Sequence, residues 1–87
     1  MTVPAHADDA RVVLYTREGC HLCEAAEHIV AEVVAATGDD WVRVDIDTDP
    51  QLRERFSEQV PVTFVDGRQH DFWRVDPARL RAALERG

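Results

Sequence analysis

The sequence contains no lysine, because all ten of its basic residues are arginines, and it contains only two cysteines. The missing lysine excludes catalysis through a lysine Schiff base. Small domains that are held together by disulfides usually carry about four to eight cysteines, so two are too few for that class. The sequence also lacks any run of about 18 apolar residues, and we therefore expect no membrane-spanning helix and no membrane partner.

The balance of charge and the length restrict the function further. Acidic residues outnumber basic residues by 17 to 10, and a surface with a net charge of -7 repels phosphate backbones, so we expect no nucleic-acid partner. The 87 residues suffice for one domain with a small core. We divide the chain into a flexible tail over residues 1–10 and a single domain over residues 11–87. Residues 1–10 have neither the basic nor the apolar region of a signal peptide, and we expect a cytoplasmic monomer.

The first half of the domain shows strand and helix patterns in turn. Residues 12–15 are apolar without alternation, which is typical of a strand buried on both faces. Residues 20–36 carry apolar side chains every three or four positions, which predicts an amphipathic helix that ends near Gly38. The predicted buried stripe of this helix is Leu22, Ala26, Ile29, Val30, Val33 and Val34. Residues 41–46 alternate, which predicts a half-exposed strand at the edge of a sheet.

Two helix-capping signals and one turn signal organise the second half. Asp49-Pro50 and Asp76-Pro77 each place a capping residue before a proline in the first helical position, so each predicts the start of a helix. Asp66-Gly67 lies between residues 62–65 and residues 69–73 and predicts a β-hairpin. The predicted order is β-α-β-α-β-β-α, an α/β fold with a four-stranded mixed sheet between helices on both faces.

Phe72 and Trp73 are adjacent aromatic residues at the end of the last predicted strand. The plain interpretation of this pair is that one ring packs into the core while the other lies at the edge of the sheet.

Cys20 and Cys23 come directly after the first predicted strand, at the start of the following helix. The unpaired amides and the positive end of a helix dipole stabilise a thiolate, so Cys20 is the expected nucleophile that attacks a disulfide. Cys23 lies about one turn further on and is expected to resolve the mixed disulfide that Cys20 forms. His21 is a candidate for tuning this chemistry, because a cationic imidazole beside Cys20 stabilises the thiolate.

Other interpretations of the cysteine pair stay open at this point. The pair could hold zinc or an iron–sulfur cluster in a non-catalytic binding module, although a structural zinc site needs four ligands and the sequence has no second Cys-x-x-Cys. The pair could also be inert, or form a structural bridge, although a bridge across two residues closes too small a loop to add much stability. The position of the pair in a β-α-β unit favours dithiol redox chemistry.

Several motifs together resemble the glutaredoxins and their small relatives in the thioredoxin superfamily. They are Cys20-His21-Leu22-Cys23, the acidic residues 45–50, Val60-Pro61 before the third strand, and Asp66-Gly67. The combination is most similar to small bacterial glutaredoxin-like proteins with a Cys-His-Leu-Cys motif, and it covers nearly the whole chain from Arg11. The resemblance implies a three-layer α/β/α thioredoxin fold, a nucleophilic Cys20 and a resolving Cys23.

The resemblance also implies residues that bind the substrate. It implies a cis bond between Val60 and Pro61 that turns Val60 toward a substrate, an isomer that the residues alone leave open. Arg17 stands where glutaredoxins usually carry a lysine that helps to hold the carboxylate of glutathione. The paired glycines and the acid that hold the other end of glutathione are absent after the last strand, and residues 70–76 stand in their place.

The implied protein is a thiol–disulfide oxidoreductase that contributes to cell redox homeostasis and electron transport. Its expected substrates are disulfides in proteins or in low-molecular-weight thiols. It needs no tightly bound cofactor and no metal, and it takes its electrons from glutathione or from thioredoxin reductase.

Overall fold

The computed structural model describes residues 10–86, and their secondary structure follows the predicted order. The helices and strands are β1 (Val12–Thr16), α1 (His21–Thr37), β2 (Trp41–Asp45), α2 (Pro50–Phe56), β3 (Val62–Val65), β4 (Arg68–Phe72) and α3 (Pro77–Arg86), with a 3₁₀ turn at Ile46–Thr48. None of these helices is long and apolar enough to cross a membrane.

The four strands form one mixed sheet in the order β2-β1-β3-β4. Strand β1 pairs in parallel with β2 and antiparallel with β3, and β3 pairs antiparallel with β4. The hairpin between β3 and β4 turns at Asp66 and Gly67, which both have positive φ angles, as the tight two-residue turn requires. The predicted mixed sheet, with β2 at one edge, is therefore confirmed.

Helices cover both faces of the sheet and produce the predicted three layers. On one face α1 and α3 enclose a cluster of Val12, Leu14, Ala26, Val30, Val33, Val34, Val65, Val75, Leu80 and Leu84. On the other face α2 closes a cluster of Val13, Tyr15, Val44, Ile46, Phe56 and Val62. Strand β1 contributes to both clusters, and all five of its residues are buried. This burial on both faces agrees with the unbroken apolar run in the sequence.

The predicted buried stripe of α1 is wrong at its first position. Leu22 is 44% exposed, whereas Ala26, Val30, Val33 and Val34 are buried. Helix α1 begins at His21, so Leu22 lies in the first turn, beside the loop that follows β1, while the later turns pack against the sheet. Helical periodicity identifies the face of a side chain but not the point along the helix at which the packing partner begins.

The predicted end of the second strand is also wrong, because β2 stops at Asp45. The carboxylate of Asp45 accepts a hydrogen bond from the amide of Asp47 at 2.9 Å, and the hydroxyl of Thr48 donates to the Asp45 carbonyl at 2.7 Å. These local bonds replace the strand ladder and form the 3₁₀ turn. Ile46 begins that turn and is nevertheless fully buried.

The expectation that one ring of the Phe72–Trp73 pair enters the core is wrong. Both side chains are exposed, Phe72 at 45% and Trp73 at 53%. Phe72 is the last residue of β4, and Trp73 has a φ of 67°, so the chain leaves the strand in a left-handed conformation. The alternation of side chains between the two faces therefore ends at Phe72.

The predicted tail over residues 1–10 falls almost entirely outside the described residues. Ala10 is described, and it is buried. For residues 1–9 the flexible tail stays a prediction, and Gly87, the predicted end of the last helix, also lies outside the described residues.

Replacing Phe56 tests the packing of α2 on the sheet. The Phe56 ring is 2% exposed, and its centroid lies 5.1 Å from that of Tyr15 and 5.9 Å from that of Phe64. We expect Phe56→Ala to lower the free energy of unfolding by about 3–5 kcal/mol, because it removes a buried ring and leaves a cavity. Urea unfolding measures this, with the exposed Arg53→Ala on the same helix as a control that stays within about 0.5 kcal/mol. A loss below about 1 kcal/mol for Phe56→Ala would contradict the packing.

Arg11 joins three parts of the fold at the end of the sheet opposite the cysteines. Its guanidinium donates to the carboxylate of Asp66 at 2.9 and 3.0 Å, to Asp39 at 2.9 Å and to the Leu84 carbonyl at 3.1 Å. A hydrogen bond from Thr37, followed by the one from Arg11, lowers the pKa of Asp39. The hydrogen bond from Arg11 is the main cause that lowers the pKa of Asp66.

Acidification is expected to weaken this cluster. Both carboxyl groups have a lower pKa in the folded protein than in the unfolded chain. The stability that they contribute is therefore present above the unfolded pKa of about 4, and it is lost as the pH falls through the folded values. We expect Arg11→Gln to lose less stability than the wild type between about pH 7 and about pH 3, as measured by urea unfolding, with Arg68→Gln as the control. An identical pH dependence in wild type and Arg11→Gln would show that the cluster contributes nothing.

Candidate active site

Three segments of the chain meet at the end of the sheet where β1 and β4 finish and β3 begins. The register pairs Tyr15 with Val62 and Val62 with Phe72. The loop that leads from β1 to Cys20, the segment that enters β3 and the end of β4 therefore lie side by side. This end of the sheet brings together the cysteines, the Val60–Pro61 bond and the aromatic pair, which are far apart in the sequence.

The two cysteines occupy the N-terminus of α1. Cys20 is the N-cap residue, and its Sγ accepts a hydrogen bond from the amide of Cys23 at 3.1 Å. The two sulfurs are paired in a disulfide, with the Cα atoms 5.2 Å apart. Cys23 is 2% exposed, whereas Cys20 is only partly buried. Of the two sulfurs, that of Cys20 is thus the one that a substrate can approach.

A cavity of about 180 Å³ adjoins the cysteines on the side of β2. Four acidic and two basic side chains line it, together with both cysteines: Glu18, Glu24, Glu27, Asp45, Arg17 and Arg43. Arg43 is paired with Glu27 at 3.3 Å. The charged groups of the wall sum to a net negative charge, so the cavity favours neutral or cationic groups over anions.

Arg17 lies where the sequence placed it, in the wall of the same cavity as Cys20. Its Nε donates to the carboxylate of Asp47 at 3.2 Å. A ligand carboxylate would have to compete with Asp47 for this guanidinium. The role of Arg17 in substrate binding stays a prediction.

The Val60–Pro61 peptide bond is cis, the isomer that the resemblance implies. Pro61 is buried and Val60 is half-buried. The amide of Val60 donates to the Phe56 carbonyl at 3.1 Å, so the end of α2 occupies that donor. The contact of Val60 and Pro61 with a substrate stays a prediction.

Hydrogen bonds hold Trp73 against the segment that leads into β3. Its amide donates to the carbonyl of Pro61 at 2.8 Å and to that of Gln59 at 3.2 Å. Its indole Nε1 donates to the carbonyl of Glu58 at 2.8 Å. The ring of Phe72 meets the indole edge to face, with the centroids 5.0 Å apart. The sequence signal for this fixed, exposed indole was the pair of adjacent aromatics at the end of the hairpin. The expectation that one of the two rings enters the core did not identify it.

His21 is exposed in the first turn of α1, next to Cys20. This position is compatible with an effect on the Cys20 thiolate, and the tuning role stays a prediction. Within residues 10–86, no group of three or more His, Cys, Asp or Glu side chains is arranged to hold a metal ion.

A three-layer α/β/α fold with a cysteine pair at the start of a helix and a cis-proline before the next strand of the sheet defines a thioredoxin-like protein with a redox-type site. Within that class, the chain belongs to the family described as the Glutaredoxin-like domain (DUF836), whose model matches residues 11–85. The family that the motifs predicted is thereby confirmed.

Known relatives agree with this assignment. The chain is 38% identical over 81 residues to an uncharacterized protein of Mycobacterium tuberculosis, covering 87% of this chain and 84% of the relative. The solved structure of protein XcR50 from X. campestris is 35% identical, covers 87% of this chain and 97% of that one, and superposes with a TM-score of 0.72. Glutaredoxin C1 from Populus tremula x tremuloides is 18% identical, with a TM-score of 0.57 over 94% of this chain and 90% of that one, and it shares the fold.

Proposed function

We propose that the protein is a thiol–disulfide oxidoreductase in which Cys20 attacks the substrate and Cys23 resolves the intermediate. The observation that supports this most directly is the unequal placement of the two sulfurs. Cys20 caps α1 and is accessible, whereas Cys23 is buried one turn further on and lies in bonding contact with it. A structural bridge needs no such difference in access.

The N-terminus of α1 provides the electrostatic support for the first step. A thiolate at Cys20 keeps the hydrogen bond from the Cys23 amide and faces the positive end of a 17-residue helix. Hydrogen bonds of this kind are stronger when the acceptor is ionised. This support is directed at Cys20 Sγ, which makes Cys20 the proposed nucleophile and the leaving group when Cys23 or an external thiol reduces the disulfide.

The exchange proceeds in two balanced steps. The Cys20 thiolate attacks one sulfur of the substrate disulfide, the substrate S–S bond breaks, and the departing thiolate takes up a proton. The Cys23 thiol then loses its proton and attacks Sγ of Cys20, which forms the Cys20–Cys23 disulfide and releases the second substrate thiol. Two electrons and two protons pass from the protein dithiol to the substrate. The reverse exchange with an external dithiol or thiol pair restores the reduced protein.

The electron source is proposed to be glutathione or a thioredoxin reductase, and the exchange itself uses no bound cofactor. In the cytoplasm, where thiols are kept reduced, such a protein contributes to cell redox homeostasis. Its substrates are proposed to be disulfides of proteins or of low-molecular-weight thiols.

Two serine variants test the order of attack. We expect Cys20→Ser to abolish the catalysis of insulin reduction by dithiothreitol, because no nucleophile remains at the accessible position. Cys23→Ser is expected to stop after the first step and to accumulate a mixed disulfide on Cys20, which mass spectrometry of the intact protein detects. The control is Glu32→Gln on the exposed face of α1. Catalysis by Cys20→Ser at the wild-type rate, or trapping on Cys23 instead, would sink the proposed mechanism.

The salt dependence of the reaction with glutathione tests the charge of the site. Glutathione is anionic, the protein carries a net charge of -7, and the cavity wall is negative. We expect kcat/KM for glutathione to rise as salt screens this repulsion. At low salt we also expect the turnover rate with thioredoxin reductase as the electron source to exceed the turnover rate with glutathione. A coupled NADPH assay with either reductase measures both rates. A kcat/KM for glutathione that falls with salt would mean that the arginines of the cavity attract it.

A further inference from the structure

The large apolar side chains that the described residues leave exposed lie at the end of the sheet that carries the cysteines. They are Leu22, Phe72 and Trp73. Leu22 stands between the two cysteines in the sequence, and Phe72 pairs with Val62, directly after Pro61. Apolar side chains scattered singly over a surface need no explanation, but a group of them beside a reactive sulfur indicates a contact surface.

Trp73 is held in place although it is exposed. It adopts a φ of 67°, a left-handed conformation that non-glycine residues rarely adopt and that persists only where the surroundings impose it. Three hydrogen bonds impose it here, from the amide to Pro61 and Gln59 and from the indole to Glu58. Because the indole N–H is engaged with the protein, the part of the ring that faces solvent is hydrocarbon. A surface that is already fixed loses little side-chain entropy when a ligand binds.

Hydrogen bonds and a ring contact join this aromatic pair to the Val60–Pro61 segment. The amide of Trp73 donates to the carbonyl of Pro61 at 2.8 Å, and the ring of Phe72 meets the indole edge to face. An open groove along residues 71–76 borders the pair. A large side chain of a ligand can lie there on the rings, at the same end of the sheet as Cys20.

The charged side chains around the cysteines and the aromatic pair restrict which ligands can bind there. The cavity on the other side of the cysteines has four acidic and two basic side chains, and both of its arginines are paired with carboxylates. The groove adds Arg74, Asp76 and an Asp71 that is paired with Arg79 at 3.0 Å, so its charges balance. The excess of negative charge therefore lies in the cavity beside the cysteines, where it complements a cationic ligand and repels an anionic one.

We propose that Phe72 and Trp73 form the docking surface for a protein or peptide disulfide. In this substrate the reacting cysteine has an apolar residue and a basic residue beside it in the sequence. The proposal rests on the proposed oxidoreductase function and specifies its substrate class. Docking adds no chemical step: the peptide sulfur bonds to Cys20, its former partner leaves as a thiol, and Cys23 then releases the peptide as a thiol. The side chain of the peptide supplies contact with the rings, which a small hydrophilic disulfide cannot.

Two synthetic peptides of equal length test this, each with one cysteine in a mixed disulfide with 2-mercaptoethanol. One peptide carries Phe and Arg beside the cysteine, the other Ser and Glu, and bis(2-hydroxyethyl) disulfide serves as the small reference. For the wild type we expect kcat/KM for the Phe/Arg peptide to exceed that for the Ser/Glu peptide by about tenfold. In Phe72→Ser, the ratio of kcat/KM for the Phe/Arg peptide to that for the small reference is expected to fall about five- to tenfold.

Matched variants separate docking from a general loss of structure. Phe72→Tyr keeps the ring and is expected to retain the wild-type ratio, and Arg68→Ser at the exposed start of the same strand is expected to retain it as well. Equal rates with both peptides, or an unchanged ratio in Phe72→Ser, while the wild type reduces the small disulfide, would overturn the docking and leave the oxidoreductase function standing. A wild type that reduces none of the three disulfides would overturn both.

Discussion

Strand β1 is buried along its whole length, and the rest of the structure depends on this burial. Its side chains alternate between the two core clusters, with Val12 and Leu14 in one and Val13 and Tyr15 in the other, so both helical layers pack against this one strand. It also pairs with a strand on each side, which fixes the positions of β2 and β3. Because β1 ends at Thr16 and α1 begins at His21, the short loop between them places Cys20 just beyond the end of this central strand.

Most of the fold follows from local signals in the sequence. The unbroken apolar run of β1, the Asp-Pro pairs at residues 49–50 and 76–77 and the turn at Asp66-Gly67 each specify one element, and each element is present. Two causes explain the wrong predictions. Either a local hydrogen bond competes with the predicted element, or the surface on which the element packs ends earlier than the pattern in the sequence. The carboxylate of Asp45 binds an amide of its own segment and ends β2 before Ile46.

The position of the cysteine pair was easier to predict than the surface around it. The cysteines follow from their place before a helix, whereas Leu22 and Trp73 depend on where the sheet stops, which no periodicity encodes. Trp73 takes a left-handed conformation because distant carbonyls hold it, and residue-level propensity contains no such information. The result is a small protein with an excess of acidic side chains around its cysteine pair and with exposed Leu22, Phe72 and Trp73 at the same end of the sheet.

We propose that Cys20 and Cys23 form a reversible dithiol rather than a structural bridge. Equilibration of the wild-type protein with dithiothreitol redox buffers, followed by alkylation and mass spectrometry, tests this most directly. We predict a single two-electron transition within one chain, with a midpoint potential less negative than about -300 mV. A midpoint below that value, as structural disulfides have, or oxidation only between molecules, would contradict it.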